Sequence, residues 1–238
     1  MSIYESRTVS ELLAGNSYPG RGIIVGMTPD GKNAVAAYFI MGRSTNSRNR
    51  IFVKKENAVF TEPFDPSKVV DPSLIIYAAL RWQEGRLIVT NGDQTDTIAE
   101  WAGKGGSMEE ALRTRCFEPD APNYTPRISA VLHFEDGFCY EMSILKSVDE
   151  EGSECARYLF TYPGKAGLGH FIHTYVGDGN PLPSFQGEPE RVAMEDDIGA
   201  WCDTLWNALD GDNKISLYVV SVNVKTGQSK DRLYNKNV

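Results

Sequence analysis

The sequence lacks the features that mark membrane, secreted and nucleic-acid-binding proteins. No apolar run approaches the length of a membrane span, and the N-terminus has no apolar segment typical of a signal peptide. Runs of Lys and Arg are also absent, and the formal charge of −8 argues against a nucleic-acid partner. We therefore expect a cytoplasmic protein that binds neither membranes nor nucleic acid.

Cysteine and histidine are too few and too scattered to predict a metal site or a disulfide framework. The four cysteines include no C-x-x-C pair, and no histidine lies near them at ligand spacing. His170 and His173 would point to opposite faces of a strand, which does not suit a shared metal. No P-loop is present, and spacing alone assembles no Ser/His/Asp or Cys/His set. We expect free thiols and no structural metal.

Apolar strand patterns separated by turn residues cover most of the chain. Residues 22–27 and 33–41 form a predicted hairpin around a Pro-Asp-Gly turn, and both strands are apolar enough to be covered on both faces. Further strands are predicted near residues 51–53, 58–60, 77–82, 86–90, 128–134, 138–145, 157–162, 171–176 and 215–224, with the last one closing the chain.

Helices are predicted between these strands. The patterns favour a short helix at 10–14, one at 95–102, one that starts with a capping box at Ser107, and a long one between Pro189 and Leu209. The order of elements predicts one α+β domain, residues 1–238, in which helices cover packed sheets. This order is strands, a helical pair, strands again, then a helix and a strand.

A polar loop directly follows the β-branched strand at 86–90. Its seven small or polar residues could hold a polar small molecule with backbone amides, carboxylates and hydroxyls; the alternative is a solvated turn that caps the next helix. The candidate binding residues in this loop are Asn91, Gly92, Thr95, Asp96 and Thr97.

Two other loops carry arginines beside hydroxyl or carboxyl groups. The loop at 42–50 contains three arginines, and guanidinium groups bind phosphate bidentately, although a solvated charged turn is the alternative. Glu118 lies in a Pro-rich loop with cationic neighbours that can tune its pKa, although a surface carboxylate is the alternative. Tyr77 starts a strand and is either a site residue or a core tyrosine whose hydroxyl bonds to the backbone. The further candidates in these loops are Arg43, Ser44, Asn46, Arg48, Thr125 and Arg127, with Arg50 favoured as a structural or surface residue.

Four ordered motifs together resemble the archaeal-type IMP cyclohydrolase family. They are G-R-S-T-N-S-R-N-R, D-P-S-L-I-I-Y, V-T-N-G-D-Q-T-D-T-I and F-E-P-D-A-P-N-Y-T-P-R-I, and they fall within residues 20–130. The C-terminal half, 131–238, resembles longer bacterial members more loosely, and residues 1–19 form an N-terminal extension. The resemblance implies a four-layer αββα sandwich similar to N-terminal-nucleophile hydrolases, without their autocatalytic nucleophile.

The reaction that the resemblance implies is closure of 5-formamidoimidazole-4-carboxamide ribotide to IMP with loss of water. By the same resemblance, Arg48, Tyr77 and Glu118 fall on the catalytic positions of the family, and the partner is a purine ribonucleotide. We expect no cofactor, because nothing is oxidised and no phosphoryl group moves, and we expect a homo-oligomer. Two alternatives stay open: an amide hydrolase of the N-terminal-nucleophile type, and a nucleotide-binding protein without catalysis.

Overall fold

The computed structural model describes residues 2–69 and 76–238. Most of the predicted D-P-S-L-I-I-Y motif, from Asp71 to residue 75, lies outside the described residues, whereas its last residue, Tyr77, lies within them.

Two antiparallel sheets form the body of the protein, and their strands are numbered β1 to β13 in chain order. The first sheet contains β1 (Arg21–Met27), β2 (Asn33–Met41), β10 (Leu168–His173), β11 (Glu190–Ala193), β12 (Lys214–Asn223) and β13 (Ser229–Asn235). Its spatial order is β11-β10-β1-β2-β12-β13, and each neighbouring pair is antiparallel.

The second sheet runs in simple chain order from β3 to β9, again with antiparallel neighbours. Its strands are β3 (Arg50–Lys55), β4 (Ala58–Pro63), β5 (Tyr77–Gln83), β6 (Arg86–Thr90), β7 (Arg127–His133), β8 (Cys139–Ser147) and β9 (Cys155–Pro163).

Five α-helices and one short 3-10 helix (Pro66–Lys68) accompany the sheets in the described residues. The α-helices are α1 (Val9–Leu13), α2 (Thr45–Arg48), α3 (Gln94–Gly103), α4 (Met108–Arg113) and α5 (Ile198–Ala208). The predicted capping box is confirmed: the Ser107 hydroxyl accepts from the Glu110 amide at 3.2 Å, and the Glu110 carboxylate accepts from the Ser107 amide at 2.8 Å.

The sheets pack face to face, and helices cover the outer face of each. Ile23 and Tyr38 of the first sheet share one core with Val89 and Ile128 of the second. On the outer faces, α1 and α5 pack against the first sheet, while α3 and α4 pack against the second. The predicted α+β class is confirmed, and this layering explains why β1 and β2 are apolar on both faces.

The C-terminal part differs from the prediction in two places. The long helix predicted between Pro189 and Leu209 begins only at Ile198. The residues before it form β11, in which Val192 is buried where the strand pairs with β10. Asp197 then caps the helix by accepting from the Ala200 amide at 3.0 Å. The strand predicted to close the chain is followed by another, β13, which pairs back along β12 after a turn at residues 224–226.

Candidate active site

Glu118 and Arg21 form a buried ion pair at one end of the two sheets. Arg21 is the first residue of β1, and its Nη2 donates to both carboxylate oxygens of Glu118, at 3.1 and 3.2 Å. The two side chains are only 12% and 7% exposed. Burial raises the pKa of Glu118 above its ordinary value, although the positive charges of Arg21 and Arg127 oppose that rise. Glu118 therefore binds a proton more readily than an exposed carboxylate does.

Tyr77 and Tyr38 form a second buried pair, with their hydroxyl oxygens 2.7 Å apart. Tyr77 is the first residue of β5, and Tyr38 lies on β2 of the facing sheet. Burial raises the pKa of Tyr77, while the charges of Arg50 and Arg21 lower it. The charge of Glu118 also reaches this hydroxyl and raises its pKa, so the two pairs form one electrostatic cluster.

Arg127 adds a second buried cation beside Glu118. It begins β7, and its Nη1 donates to Asp93 Oδ1 and to Gln94 Oε1, both at 2.7 Å. Asp93 also pairs with Arg115, and the two arginines lower its pKa against the opposing effect of burial. Two buried guanidinium nitrogens in the cluster, Arg21 Nε and Arg127 Nε, have no hydrogen-bond partner among the described residues. The cluster thus keeps donor capacity for an anionic or carbonyl group.

Most of the polar loop after β6 is buried and bonded to the protein itself. The Asn91 side chain donates to Pro126 O at 2.8 Å and accepts from the Ile128 amide at 2.8 Å. The Thr95 hydroxyl lies 2.6 Å from that of Thr90 and donates to Ala78 O. These bonds tie the ends of β5, β6 and β7 together, so both side chains fix the framework of the cluster.

Gly92 leaves the space in which Arg127 and Gln94 meet. A Cβ at this position would lie 2.5 Å from Arg127 Nη1, 2.7 Å from Gln94 Oε1 and 3.6 Å from Glu118 Oε1. The other two candidates of the loop lie on α3: Asp96 is exposed and pairs with Arg81 at 3.0 Å, and Thr97 is half-buried. Gly92 therefore lies beside both Arg127 and Glu118.

Thr125 connects the Glu118 loop to the first sheet. Its hydroxyl lies 2.6 Å from the Tyr175 hydroxyl, and its amide donates to Asp120 Oδ1 at 2.7 Å. The backbone adds a further link, because the Glu118 amide donates to Thr125 O at 2.9 Å. Thr125 thereby holds the backbone of Glu118 against Tyr175, which stacks on Tyr18 with the ring centroids 6.0 Å apart.

The arginine-rich loop lies nearby and is largely exposed. Arg48 is exposed and donates to Gly42 O and to Asn213 Oδ1, both at 3.0 Å. Arg43 pairs with Asp178 and covers the ring of Tyr18. Ser44 caps α2 by accepting from the Ser47 amide, and Asn46 Oδ1 is buried without a partner among the described residues. None of the hydrogen bonds found in the described residues joins Arg48 to Tyr77 or Glu118.

Arg50, by contrast, is a buried structural residue and not a surface one. Its Nε donates to Ser47 O at 2.8 Å and its Nη2 to Met41 O at 3.2 Å. These bonds fix the arginine-rich loop to the end of β2, and the charge lies close enough to lower the pKa of Tyr77.

The model of the IMP cyclohydrolase-like protein family matches residues 18–227. This chain belongs to that family. The match starts just before Arg21 and continues through β12, so it takes in every strand except β13 and every residue of the cluster. It also extends well beyond residues 20–130, where the motifs are found.

Archaeal relatives support the same membership. The chain is 30% identical over 196 residues to an IMP cyclohydrolase of Methanopyrus kandleri, and this alignment covers 77% of the chain and 97% of that relative. It is 34% identical over 127 residues to an IMP cyclohydrolase of Methanocaldococcus jannaschii, covering 52% of the chain and 59% of that relative. A third relative, an IMP cyclohydrolase of Methanococcus aeolicus, is 28% identical over 162 residues, and this alignment covers 66% of the chain and 74% of that relative.

Two residues of the cluster do not stand out in the sequence motifs. Arg21 carries a charge at the start of a strand whose next five residues are all buried, and Tyr38 is the one hydroxyl in the middle of apolar β2. A lone polar group in a strand covered on both faces is the signal that could have identified each of them.

Residues 2–69 and 76–238 lack two kinds of feature. No group of three or more His, Cys, Asp or Glu side chains in these ranges is placed to hold a metal ion. No helix within them is long and apolar enough to cross a membrane.

Proposed function

We propose that this protein closes 5-formamidoimidazole-4-carboxamide ribotide to IMP and water, in purine biosynthesis. The observation that carries the proposal is a buried carboxylate, Glu118, held by Arg21 and electrostatically coupled to the Tyr77 hydroxyl, in a chain of the IMP cyclohydrolase-like family. A cytoplasmic location, a homo-oligomeric assembly and a likeness of the layering to N-terminal-nucleophile hydrolases belong to the same proposal.

The reaction makes definite chemical demands. A carboxamide nitrogen is a poor nucleophile, so the protein must hold it against the formyl carbon, and such positioning can supply about 7–11 kcal/mol. Negative charge develops on the formyl oxygen and needs donors. The nitrogen then has to lose a proton, and the departing hydroxyl has to gain one. No electron transfer occurs and no phosphoryl group moves, so these steps need only acids, bases and donors.

The buried cluster can meet the proton demands with two side chains. Glu118 accepts the proton of the carboxamide nitrogen as the N–C bond forms, and its burial raises the pKa in the direction that a base at near-neutral pH requires. Glu118 then passes this proton to the formyl oxyanion, which becomes a hydroxyl. Tyr77 gives its own proton to this hydroxyl, which leaves as water when the C–O bond breaks. The formamido nitrogen forms the new C=N bond and gives up its proton to Tyr77, which restores both groups.

The cations around Glu118 have separate tasks in this scheme. Arg21 orients the carboxylate. Its Nε and that of Arg127, which lack a partner in residues 2–69 and 76–238, offer donors for the developing oxyanion. Gly92 lets Arg127 and Gln94 come this close. Asn91 and Thr95, whose side chains bond to the protein, position the loop around the ribotide, as does Thr125.

The arginine-rich loop suits the 5′-phosphate of the ribotide. Arg43 precedes the short helix α2 and Arg48 is its last residue; both are exposed cations, and the Ser44 hydroxyl lies at the start of the helix. Asn46 adds a carbonyl oxygen that has no hydrogen-bond partner within the described part of the chain and can accept from the ribose. We assign phosphate binding and charge neutralisation to Arg48 and Arg43, while Asp96 and Thr97 lie at the outer margin of the site.

An absorbance assay of ring closure tests the proposal directly. Purified protein should convert the formylated ribotide to IMP in the presence of a strong chelator, with the product identified by mass spectrometry. Activity that disappears with the chelator and returns with a divalent ion would contradict the metal-free scheme.

Two further measurements separate the alternatives. An amide hydrolase of the N-terminal-nucleophile type needs processing to expose its nucleophile, so an intact mass equal to that of the unprocessed chain argues against it. A binding protein without catalysis would bind IMP and leave the formylated ribotide unchanged.

A further inference from the structure

Tyr38 lies where it can act on the reaction through Tyr77. It is fully buried in the middle of β2, opposite Ile23 of β1 and Tyr218 of β12, and its ring contacts Phe52 with the centroids 5.5 Å apart. Its backbone and ring are therefore fixed on several sides. Its hydroxyl points across the space between the sheets and meets that of Tyr77 at 2.7 Å.

We propose that Tyr38 is a positioning residue, which donates a hydrogen bond to the Tyr77 oxygen and stabilises the phenolate that forms when Tyr77 gives up its proton. The proposal rests on the acid role of Tyr77 and adds a second residue to it. Two hydroxyls at hydrogen-bond distance can share a proton in either sense. Once Tyr77 is a phenolate, however, only Tyr38 can donate.

The charges around the hydroxyl pair favour the direction in which Tyr38 donates and Tyr77 accepts. Four groups from different elements act on the Tyr77 hydroxyl. They are the Tyr38 hydroxyl from β2, the Arg21 guanidinium from β1, the Arg50 guanidinium from β3 and the Glu118 carboxylate from the loop after α4. The two arginines and the Tyr38 hydrogen bond lower the pKa of Tyr77 against burial. Burial and the neighbouring Tyr77 hydroxyl raise the pKa of Tyr38 well above its ordinary value, although the same two arginines also lower it. Tyr77 is thus the member of the pair that ionises first, and Tyr38 keeps its proton.

Kinetics of the full-length protein test the proposal. Replacing Tyr38 by Phe removes one oxygen and leaves the ring in place, so kcat should fall about tenfold, while KM stays within about twofold of the wild type. In a Tyr77→Phe background the same replacement should cause no further loss, because Tyr38 acts through Tyr77.

The matched control is Tyr140→Phe. Tyr140 is another fully buried tyrosine between the sheets, and its hydroxyl bonds to His170 Nδ1 at 2.6 Å, away from the cluster. Its replacement should leave kcat within about twofold of the wild type. A Tyr38→Phe enzyme with unchanged kcat, or losses that multiply in the double variant, would overturn the proposal.

A titration that does not depend on turnover tests the same link. Biosynthetic 3-fluorotyrosine replaces the 11 tyrosines, and the fluorine resonance of Tyr77 is assigned by its absence in Tyr77→Phe. In Tyr38→Phe the midpoint of that resonance should move to higher pH by about half to one pH unit. An unmoved midpoint would overturn the proposal.

The reciprocal titration covers the case in which Tyr38→Phe folds poorly. In Tyr77→Phe the resonance of Tyr38 should titrate at lower pH than in the wild type, and an unmoved midpoint would contradict the link. A wild-type protein that does not close the ring would instead remove the proposed function, while the fluorine midpoints would still decide whether the two hydroxyls are coupled.

Discussion

Arg21 holds Glu118 through a single nitrogen that contacts both carboxylate oxygens, at 3.1 and 3.2 Å. Arg21 begins β1, and Glu118 lies in the loop before β7, so the contact joins the two sheets at the end where β5 and β7 start and β6 ends. A carboxylate this far from water keeps a charge only when a cation stays beside it. The ion pair therefore serves both the fold and the chemistry.

Arg21→Met should lower the free energy of unfolding by about 3 kcal/mol, because it leaves the Glu118 carboxylate buried without its partner. Urea denaturation measures the change. The control is Arg113→Met, which removes an exposed pair with Glu109 and should change stability by less than about 0.5 kcal/mol. Adding Glu118→Gln to Arg21→Met should restore part of the loss. Equal effects of the two arginine replacements would contradict the buried-pair account.

Gly92→Ala should reduce kcat/KM at least about tenfold, because the added Cβ would lie 2.5 Å from Arg127 Nη1 and displace it from Gln94. Gly211→Ala is the control, since a Cβ there meets nothing within 4 Å. Steady-state kinetics on both variants decide the matter. If Gly92→Ala behaved like Gly211→Ala, the close approach of Arg127 would have no bearing on the reaction.

Arg48→Ala should lower kcat/KM at least about a hundredfold, the loss expected when a charge-assisted donor of about 3 kcal/mol is removed. Arg113→Ala, at an exposed arginine on α4, should stay near the wild type. Arg50→Ala is expected to reduce stability first, because that guanidinium is buried and bonded to two backbone carbonyls. A folded Arg48→Ala variant with near wild-type kinetics would rule out a role of this arginine in binding or catalysis.

The acidic limb of the pH profile should report Glu118. Burial raises the pKa of this carboxyl above its ordinary value of about 4.5, so kcat/KM should fall as the pH drops through a point above 4.5, where the base takes up a proton. Above that pH the carboxylate is charged and activity is full. Glu118→Gln should abolish the limb together with most of the activity. A limb at or below pH 4.5 in the wild type would contradict the buried-base assignment.

The sequence predicted the hairpins, the helical pair and the loops that form the cluster, because their turn residues and apolar periods are local signals. It did not predict β11, which pairs with β10 only after a long intervening loop. It also did not predict β13, which forms a hairpin with β12 but is mostly exposed and polar and so lacks an apolar strand pattern. It placed Tyr77, Glu118 and Arg127 in the site through motif resemblance, but not their neighbours Arg21 and Tyr38. The Arg21–Glu118 contact spans 97 positions in the chain, and no local pattern encodes it.

The same limit applies to the roles within the polar loop. Asn91 and Thr95 have the side chains of a binding loop, yet their bonds to Pro126, Ile128 and Ala78 hold strands together. Binding and framework roles require the same polar groups, so only the positions of their partners distinguish them.

The most direct test of the account compares turnover with IMP affinity in Tyr77→Phe and Glu118→Gln. Each replacement keeps the shape of the side chain and removes its ability to transfer a proton, so turnover should fall by about 10² or more. IMP affinity, measured by calorimetry on the same preparations, should stay within about twofold of the wild type. If both variants lost affinity in the same proportion as kcat/KM, with kcat unchanged, the two residues would be binding groups and the acid–base account would be wrong.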